Sequence, residues 1–396
     1  MAAIAGFTIY RVTSSDADQP LNVDFILGGG AEVNGKGDKL AIVGSYEGLA
    51  ASSDGTVYLF TQEKDGMAMW RKKPSGAAER IPVTGLDTAT AEQAAVAPDG
   101  SVYLAAGDLW RISPGGKATK VIDTSCEQPT PLATAVKEFC TGQVTGVTVT
   151  EDGSVYIGDQ VNWGDIASYV HKLNGNSIEL AAGRPPQAGE SYKQSNPAVK
   201  NGINPTAGTK AKDVLVTDNW NSGWLASGKE GLYWRTGLGI VQVNNDGTLS
   251  PFVGAASPGK ITEAKGPFES VGRALDAEIQ RNASDGTRGD LAVVPGRGEV
   301  YYTEAGDKYT PSLEGSYRWR GVTSDSQKEL IEKSTNGKLV YRVTNGKLAP
   351  VIGGVQAIAA SDSALFVAVE SQSGDDRSNP ENRRTAVVQL QLPESK

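Results

Sequence analysis

The sequence predicts an all-β fold, a six-bladed β-propeller, on three observations. A module of four short strand-like runs recurs along the chain. Asp-Gly or Gly-Gly dipeptides separate many of these runs, and their glycines accept the positive φ of tight hairpin turns. Repeats of about 40 residues with four strands each are typical of propeller blades. We therefore expect 1–396 to form a single propeller of four-stranded antiparallel blades.

The segment 95–123, AVAPDGSVYLAAGDLWRISPGGKATKVID, shows the module in full. It contains the run AVA, the turn PDG, the runs SVYLA and LWRIS, the turn PGG and the run KATKVI. Further copies follow the same order, and the blade cores are expected near 47–85, 92–123, 144–183, 223–254, 289–354 and 355–396.

The last copy of the module has no fourth run. We expect the N-terminal region 7–29, and in particular its run DFILGG, to supply the outer strand of that blade. Closing the ring with a strand from the other end of the chain protects the sheet edges. The alternative is a β-sandwich with coincidental spacing.

Two stretches share a Gly-rich linker, an Ala/Leu approach, an inner strand, a tight turn and a Val-Tyr pair. They are GGGAEVNGKGDKLAIVGSYEGLAASSDGTVYLF at 28–60, and FVGAASPGK at 252–260 with GDLAVVPGRGEVYYTE at 289–304. This order resembles the NHL-repeat propellers. The resemblance implies a propeller fold but no particular activity, because one fold hosts many functions.

The long connections are predicted to lie on one face. With strands A to D counted outward from the axis, the A–B and C–D turns are short. The long D–A segments are 28–46, 123–144, 183–223 and 254–289, and the long B–C insertions are 305–337 and 372–384. Loops of this length are uncommon unless functional or disordered, so we expect the binding site on this elaborated face. Loops tolerated as ornaments are the alternative.

The elaborated face is also rich in aromatic residues that stand among polar ones. The candidate binding residues are Trp163, Trp220, Trp224, Tyr309, Tyr317 and Trp319. Exposed Trp and Tyr flanked by Arg, Asn and Asp are typical of binding hot spots, and they can also stack on sugar rings. The alternative is that these side chains pin long loops to the propeller. Within the same face, SDSQKELIEK at 324–333 predicts a short helix with Ser324 near its start.

Composition limits the classes of partner. The net charge of −8 and the isoelectric point near 5.0 argue against nucleic-acid binding, which needs a basic face. No apolar run approaches the length of a membrane helix, so we expect no membrane insertion. The start of the chain shows no signal-peptide pattern; if the native protein is exported, we expect this chain to have been trimmed.

The two cysteines, Cys126 and Cys140, flank a Pro- and Thr-rich segment. A disulfide between them would close a small loop and stabilise the fold by about 3 kcal/mol in the chain-entropy model. It would also indicate an oxidising compartment, so we expect an extracytoplasmic or secreted location. Two reduced thiols are the alternative.

Three oxygen-bearing residues, Glu47, Asn221 and Asp290, precede inner strands and are expected at the channel mouth. Hard cations such as Ca²⁺ take such ligands. The order Glu, Asn, Asp resembles the metal site of the gluconolactonase-type six-bladed propellers. That resemblance implies a metal that polarises a lactone or ester, with Asp290 as the general base.

Histidine chemistry is nearly excluded, because the only histidine, His171, stands at a C-strand position where other blades carry Trp110 or Tyr341 and is interpreted as structural, which leaves none for a Ser-His-Asp triad. The sequence thus favours a recognition propeller that binds a protein or a glycan through the elaborated face. The alternative is a metal-dependent hydrolase or lyase that acts at the channel mouth.

Overall fold

The structure, a computed structural model, describes residues 21–393 with internal gaps. The segments outside the described residues are 33–34, 87–90, 126–128, 163–165, 186–206, 219–222, 237–238, 255–260, 262–266, 278–289, 305–321, 323, 335–337, 374–375 and 377–378. Six antiparallel sheets form a ring around one axis, so the predicted six-bladed β-propeller is confirmed.

The first half of the chain contributes three blades. Before them come β1 (Val23–Gly28) and β2 (Ile42–Val43). Blade 1 consists of β3 (Ser45–Ala51), β4 (Val57–Glu63), β5 (Gly66–Lys72) and β6 (Ala78–Pro82). Blade 2 consists of β7 (Gln93–Val96), β8 (Val102–Ala106), β9 (Asp108–Ile112) and β10 (Ala118–Ile122). Blade 3 consists of β11 (Gln143–Val149), β12 (Val155–Asn162), β13 (Ile166–Asn174) and β14 (Ser177–Ala182).

The second half contributes the other three. After β15 (Thr209–Lys210) and β16 (Val216–Asp218), blade 4 consists of β17 (Leu225–Gly228), β18 (Gly231–Thr236), β19 (Gly239–Asn244) and β20 (Thr248–Val253). After β21 (Gly272–Arg273), blade 5 consists of β22 (Leu291–Val294), β23 (Glu299–Glu304), β24 (Lys338–Thr344) and β25 (Lys347–Val355). Blade 6 consists of β26 (Ala357–Ala360), β27 (Leu365–Gln372) and β28 (Arg383–Leu390), with β1 outside them.

The ring closes between the two ends of the chain. Strand β1 pairs antiparallel with β28, with Val23 opposite Leu390 and Gly28 opposite Ala386. Most side chains of both strands are apolar and buried. A shift of one residue would expose them, so burial and hydrogen bonding together fix the register. The expected closure of the last blade by an N-terminal strand is therefore confirmed.

Apolar layers between neighbouring blades hold the ring together. One layer packs Val147 and Ile157 of blade 3 against Leu109 of blade 2, and all three side chains are buried. Another packs Ile240 and Val253 of blade 4 with Tyr302 and Tyr341 of blade 5, whose rings stack on each other with a centroid separation of 5.4 Å. Each fully buried large side chain contributes about 1.5–3 kcal/mol, so these interblade layers are the main source of stability.

In blades 1 to 3, Asp side chains cap the tight A–B turns by accepting backbone N–H groups. In blade 3, Asp152 accepts hydrogen bonds from the hydroxyl of Thr150 and from the N–H of Ser154, the latter at 3.0 Å. These hydrogen bonds lower the pKa of Asp152 to about 2. Gly153 follows with a φ of +81°, a left-handed conformation that suits glycine.

The described parts of the long D–A segments lie along blade edges. Strand β15 pairs with β20, β21 with β25, and β2 with β28, so each adds hydrogen bonds to an outer strand or its neighbour. Helix α1 (Asp325–Glu332) lies in a B–C insertion and begins with a capping box, in which the Ser324 hydroxyl accepts the N–H of Gln327. Within the described residues, no helix has the length and apolarity that a membrane crossing requires.

The two ends of the ring differ. The A–B turns of all six blades surround one mouth of the axis, and we call this end the turn face. Long connections contact one another at the opposite end. This end corresponds to the elaborated face predicted from the sequence, and we call it the loop face. There the Ser326 hydroxyl of helix α1 donates to the Gly29 carbonyl at 3.0 Å, and the Tyr46 N–H donates to Glu370 at 2.6 Å.

Candidate functional site

Gln93 reaches from blade 2 to the inner strands of other blades. It is the first residue of β7 and is buried. Its Oε1 accepts the N–H of Val147 at 3.0 Å and that of Leu225 at 2.9 Å, and its Nε2 donates to the Leu225 carbonyl at 2.7 Å. One amide side chain therefore joins the inner strands of blades 3 and 4 to its own.

Asp290 closes the axis from blade 5. Its Oδ1 accepts the N–H of Leu291 and its Oδ2 accepts the N–H of Ile358 in blade 6, each at 2.9 Å. Burial raises the pKa of Asp290 to about 6, although these bonds, the charge of Lys338 and a hydrogen bond from Gln93 oppose that rise. The two side chains line the axial cavity, and we call them its floor.

Above this floor, an axial cavity of about 690 Å³ opens on the turn face. Its walls are the inner strands of the blades, which present mainly Ala, Ser, Thr and Val. The side chains at its mouth include Glu151, Asp152, Lys229 and Asp362, so acidic groups outnumber the cation. The geometry is that of a blind pocket for one small ligand or one side chain.

A second cavity of about 810 Å³ adjoins the first on the turn face, between blades 4 and 5. The two cavities share lining residues in the A–B turns, among them Lys229 and Pro295. Aromatic side chains and two arginines line the second cavity. These two cavities therefore lie on the turn face, whereas the sequence predicted the binding site on the opposite face.

The predicted metal ligands have different surroundings. Both carboxylate oxygens of Asp290 already accept backbone N–H groups. Glu47 is buried in β3, and its Oε1 accepts the Ser45 hydroxyl at 3.1 Å. Asn221 lies outside the described residues, and the described residues contain no group of three or more His, Cys, Asp or Glu that could hold a metal ion. The described residues therefore give Asp290 a structural use, while the Ca²⁺ site stays a prediction.

Of the six aromatic residues predicted to bind a ligand on the elaborated face, the structure describes only Trp224. Trp163, Trp220, Tyr309, Tyr317 and Trp319 all lie outside the described residues, so their binding roles stay predictions.

Trp224 is described, and it is only 3% exposed. The Arg235 guanidinium lies 5.2 Å from the centroid of its ring and forms a 2.8 Å ion pair with Glu304 of blade 5. Trp224 therefore packs between blades 4 and 5 because it directly precedes a buried inner strand. The sequence had predicted a surface-binding role for it.

The segment around Cys140 is held by buried polar contacts. The sulfur of Cys140 lies 3.8 Å from the carbonyl oxygen of Asp123, so the chain that leads to Cys126 runs beside it. Cys126 is outside the described residues, and its disulfide with Cys140 stays a prediction. Nearby, the fully buried His171 contacts Asp159 through Nδ1 at 3.0 Å and the Pro131 carbonyl through Nε2 at 2.8 Å, which gives this histidine a structural role.

Gln93 was missed although a signal for it exists. Asp290 was selected because it precedes an inner strand, and Gln93 in AEQAAVAPDG opens an inner strand at the same position of the module. Applying one positional rule to every blade would have found both residues. The metal-site prediction considered only residues that match the Glu, Asn and Asp of a known site, and Gln93 is not one of them.

Comparison with known proteins finds only distant structural likenesses. No family model and no curated protein matches the chain, so the resemblance to NHL-repeat propellers is not confirmed. A protein of unknown function from Bacteroides thetaiotaomicron VPI-5482 is a structural match with a TM-score of 0.47 and 12% identity, covering 92% of this chain and 75% of the other.

Two further matches are six-bladed propellers with named functions. One is a gluconolactonase, XC5397 from Xanthomonas campestris, with a TM-score of 0.41, 12% identity and coverage of 89% and 87% of the two chains. The other is a calcium-binding protein, regucalcin, from Agrobacterium tumefaciens, with a TM-score of 0.41, 11% identity and coverage of 87% and 90%. With TM-scores below 0.5 and identities of 11–12%, these likenesses carry no conclusion about this chain.

Proposed function

We propose that the chain is a recognition propeller that binds its ligand in the axial cavity of the turn face. The observation that carries this proposal is the blind cavity of about 690 Å³ above the floor of Gln93 and Asp290. Its volume lies in the range of about 300–1,000 Å³ that is typical of small-ligand sites. The polar atoms of the floor serve backbone groups, so the floor is rigid.

The ligand class follows from the lining. Small hydroxyl and methyl side chains leave room for a sugar ring or a single partner side chain, and exposed backbone edges of inner strands offer hydrogen bonds. The acidic mouth, with Glu151, Asp152 and Asp362 against Lys229, favours a ligand that carries hydroxyls or positive charge. A glycan or a protein that presents a basic side chain fits these conditions.

A glycan array tests the proposal. Glu151 and Asp362 are exposed, and no described hydrogen bond uses either carboxylate, so a Glu151→Lys, Asp362→Lys double variant changes the mouth and leaves the fold intact. Binding that this variant loses, and that Glu332→Lys on helix α1 keeps, supports the turn face. Binding that survives the double variant but is lost in Trp220→Ala or Trp319→Ala would move the site to the loop face.

The compartment and the catalytic alternative also remain proposals. A secreted or surface location depends on the proposed disulfide between Cys126 and Cys140. A lactonase-like hydrolase would need Glu47, Asn221 and Asp290 to share a cation, and a calcium titration decides between the two functions.

A further inference from the structure

The cavity between blades 4 and 5 combines aromatic walls with an excess of positive charge. Tyr233 and Phe252 meet edge to face with a centroid separation of 4.7 Å, and Phe268 also lines the cavity. The arginines are Arg297 and Arg342. With Lys229 they outnumber the acidic lining residues, Glu230 and Glu299.

One carboxylate holds the two arginines. Glu299, 5% exposed, accepts from Arg297 Nε at 2.9 Å, from Arg342 Nη1 at 3.4 Å and from the Tyr301 hydroxyl at 2.7 Å. Burial and the hydrogen bond to Glu299 raise the pKa of Tyr301 well above its usual range, so the phenol stays a donor. Glu299 neutralises only one of the two guanidinium charges.

Arg342 keeps most of its hydrogen-bonding capacity. Its side chain is 13% exposed, its bond to Glu299 is long, and its Nη2 lies 3.5 Å from the Phe268 carbonyl. Its Nε has no hydrogen-bond partner among the described residues. A guanidinium carries five donors in a planar fork that matches a carboxylate. The geometry thus leaves a desolvated cation at the wall of an open cavity with its donors largely unused.

The conformation of Phe268 supports the same site. Its φ is +63°, which is strained for a bulky residue, and its N–H donates to the Pro350 carbonyl at 2.8 Å. This conformation places the Phe268 ring 4.7 Å from the Arg342 guanidinium carbon. Strained residues concentrate at ligand sites, where surrounding contacts over-determine them. The strained residue therefore lies in contact with Arg342 at the wall of this cavity.

We propose that this cavity binds a small aromatic carboxylate. The carboxylate pairs with Arg342, and the planar body packs between Tyr233, Phe252 and Phe268. The site is separate from the floor of the axial cavity and does not depend on the axial cavity being occupied. It would give the turn face a second, chemically distinct specificity.

Calorimetric titration of the whole chain with sodium benzoate, benzamide and sodium acetate tests whether the charge and the aromatic ring of the ligand both contribute to binding. Benzamide keeps the ring without the charge, and acetate keeps the charge without the ring. Benzoate is expected to bind at least about tenfold more tightly than either, because benzamide loses the charge-assisted pair and acetate loses the aromatic contact. Equal affinities for benzoate and benzamide would overturn the proposal. Acetyl-Gly-Phe and its C-terminal amide repeat the comparison for a peptide C-terminus, and the same preference for the acid is expected.

A matched variant locates the site. Arg111 of blade 2 occupies the module position of Arg342, because Arg111 lies opposite Tyr103 as Arg342 lies opposite Tyr301. Arg342→Gln should weaken benzoate binding by about tenfold, whereas Arg111→Gln should leave it unchanged. If Arg342→Gln fails to fold, Arg342→Lys retains charge but loses the fork, and it should still weaken binding. Equal effects at the two positions would refute the assignment even if benzoate binds.

Discussion

Gln93 and Asp290 meet across the axis from opposite blades, and together they tie the inner strands of blades 2 to 6. Gln93 accepts the N–H groups of Val147 and Leu225, and Asp290 accepts that of Ile358. Gln93 Nε2 also lies 3.5 Å from the carbonyl oxygen of Leu291, the residue that follows Asp290. Because these N–H groups belong to strand edges that face the axis, they would otherwise be buried without acceptors.

Removing the Gln93 amide should destabilise the whole ring. Gln93→Leu keeps the side-chain volume but leaves the N–H groups of Val147 and Leu225 without an acceptor. The expected loss is about 2–6 kcal/mol in the free energy of unfolding, since each of the two buried unsatisfied groups costs about 1–3 kcal/mol. Urea denaturation measures it. Gln391→Leu, at an exposed position, is the control, and equal midpoints for the two variants would contradict the tie.

Asp290 should make the fold more stable in mild acid than at neutral pH. Its pKa rises from 3.8 in the unfolded chain to about 6 when folded, so the native state binds the proton more tightly. Its stabilising contribution is fully present below about pH 4 and is lost as the pH rises through 6, a change of about 3 kcal/mol.

Denaturation of the wild type and of Asp290→Asn at several pH values between 4 and 7 isolates this contribution. The difference between their free energies of unfolding should change across that window, because the variant has no carboxyl group to titrate at this position. Parallel curves would show that the folded pKa of Asp290 is not raised.

The fold could be predicted because it is local and repeated. The runs AVA and SVYLA became parts of β7 and β8 with the expected turn between them, since alternation and Asp-Gly fix a hairpin without help from distant residues. The tie of Gln93 could not be predicted in the same way. Its partners, Val147 and Leu225, come near it only when six blades close into a ring.

The loops were harder to predict for a related reason. Their length indicated elaboration, but composition does not show whether a loop projects or lies along a blade. Strand β21 pairs with β25 through Gly272 opposite Leu348, a contact between segments far apart in the chain. Trp224 likewise stands in a stretch that looks like an exposed aromatic loop, yet its ring is covered by Arg235.

Trp224 and Trp220 should therefore respond differently to truncation. Trp224→Ala removes a buried ring that packs between two blades and should cost about 3–5 kcal/mol of stability. Trp220→Ala, at a position predicted from sequence to lie in a loop of the opposite face, should leave the melting temperature nearly unchanged and, because the proposed site is on the turn face, should leave ligand binding nearly unchanged as well. A melting temperature lowered equally by both would make Trp220 structural as well.

Calcium should produce no binding heat that depends on Glu47 if the chain is a recognition propeller. The oxygens of Asp290 serve backbone N–H groups, and binding a cation there would strip those bonds from Leu291 and Ile358. Calorimetric titration with calcium chloride compares the wild type with Glu47→Ala. A heat present in the wild type and absent in the variant would favour the metal-dependent hydrolase instead.

A disulfide between Cys126 and Cys140 should leave neither thiol open to alkylation until reductant is added. The Cys140 N–H donates to the Thr130 hydroxyl at 2.8 Å, which orients the segment near Asp123, where the chain approaches Cys126. Reduction should lower the melting temperature, because a closed loop of this size contributes about 3 kcal/mol. Mass measurement after alkylation, with and without reductant, gives the result. Two thiols that alkylate without reductant would remove the physical reason for placing this propeller in an oxidising compartment.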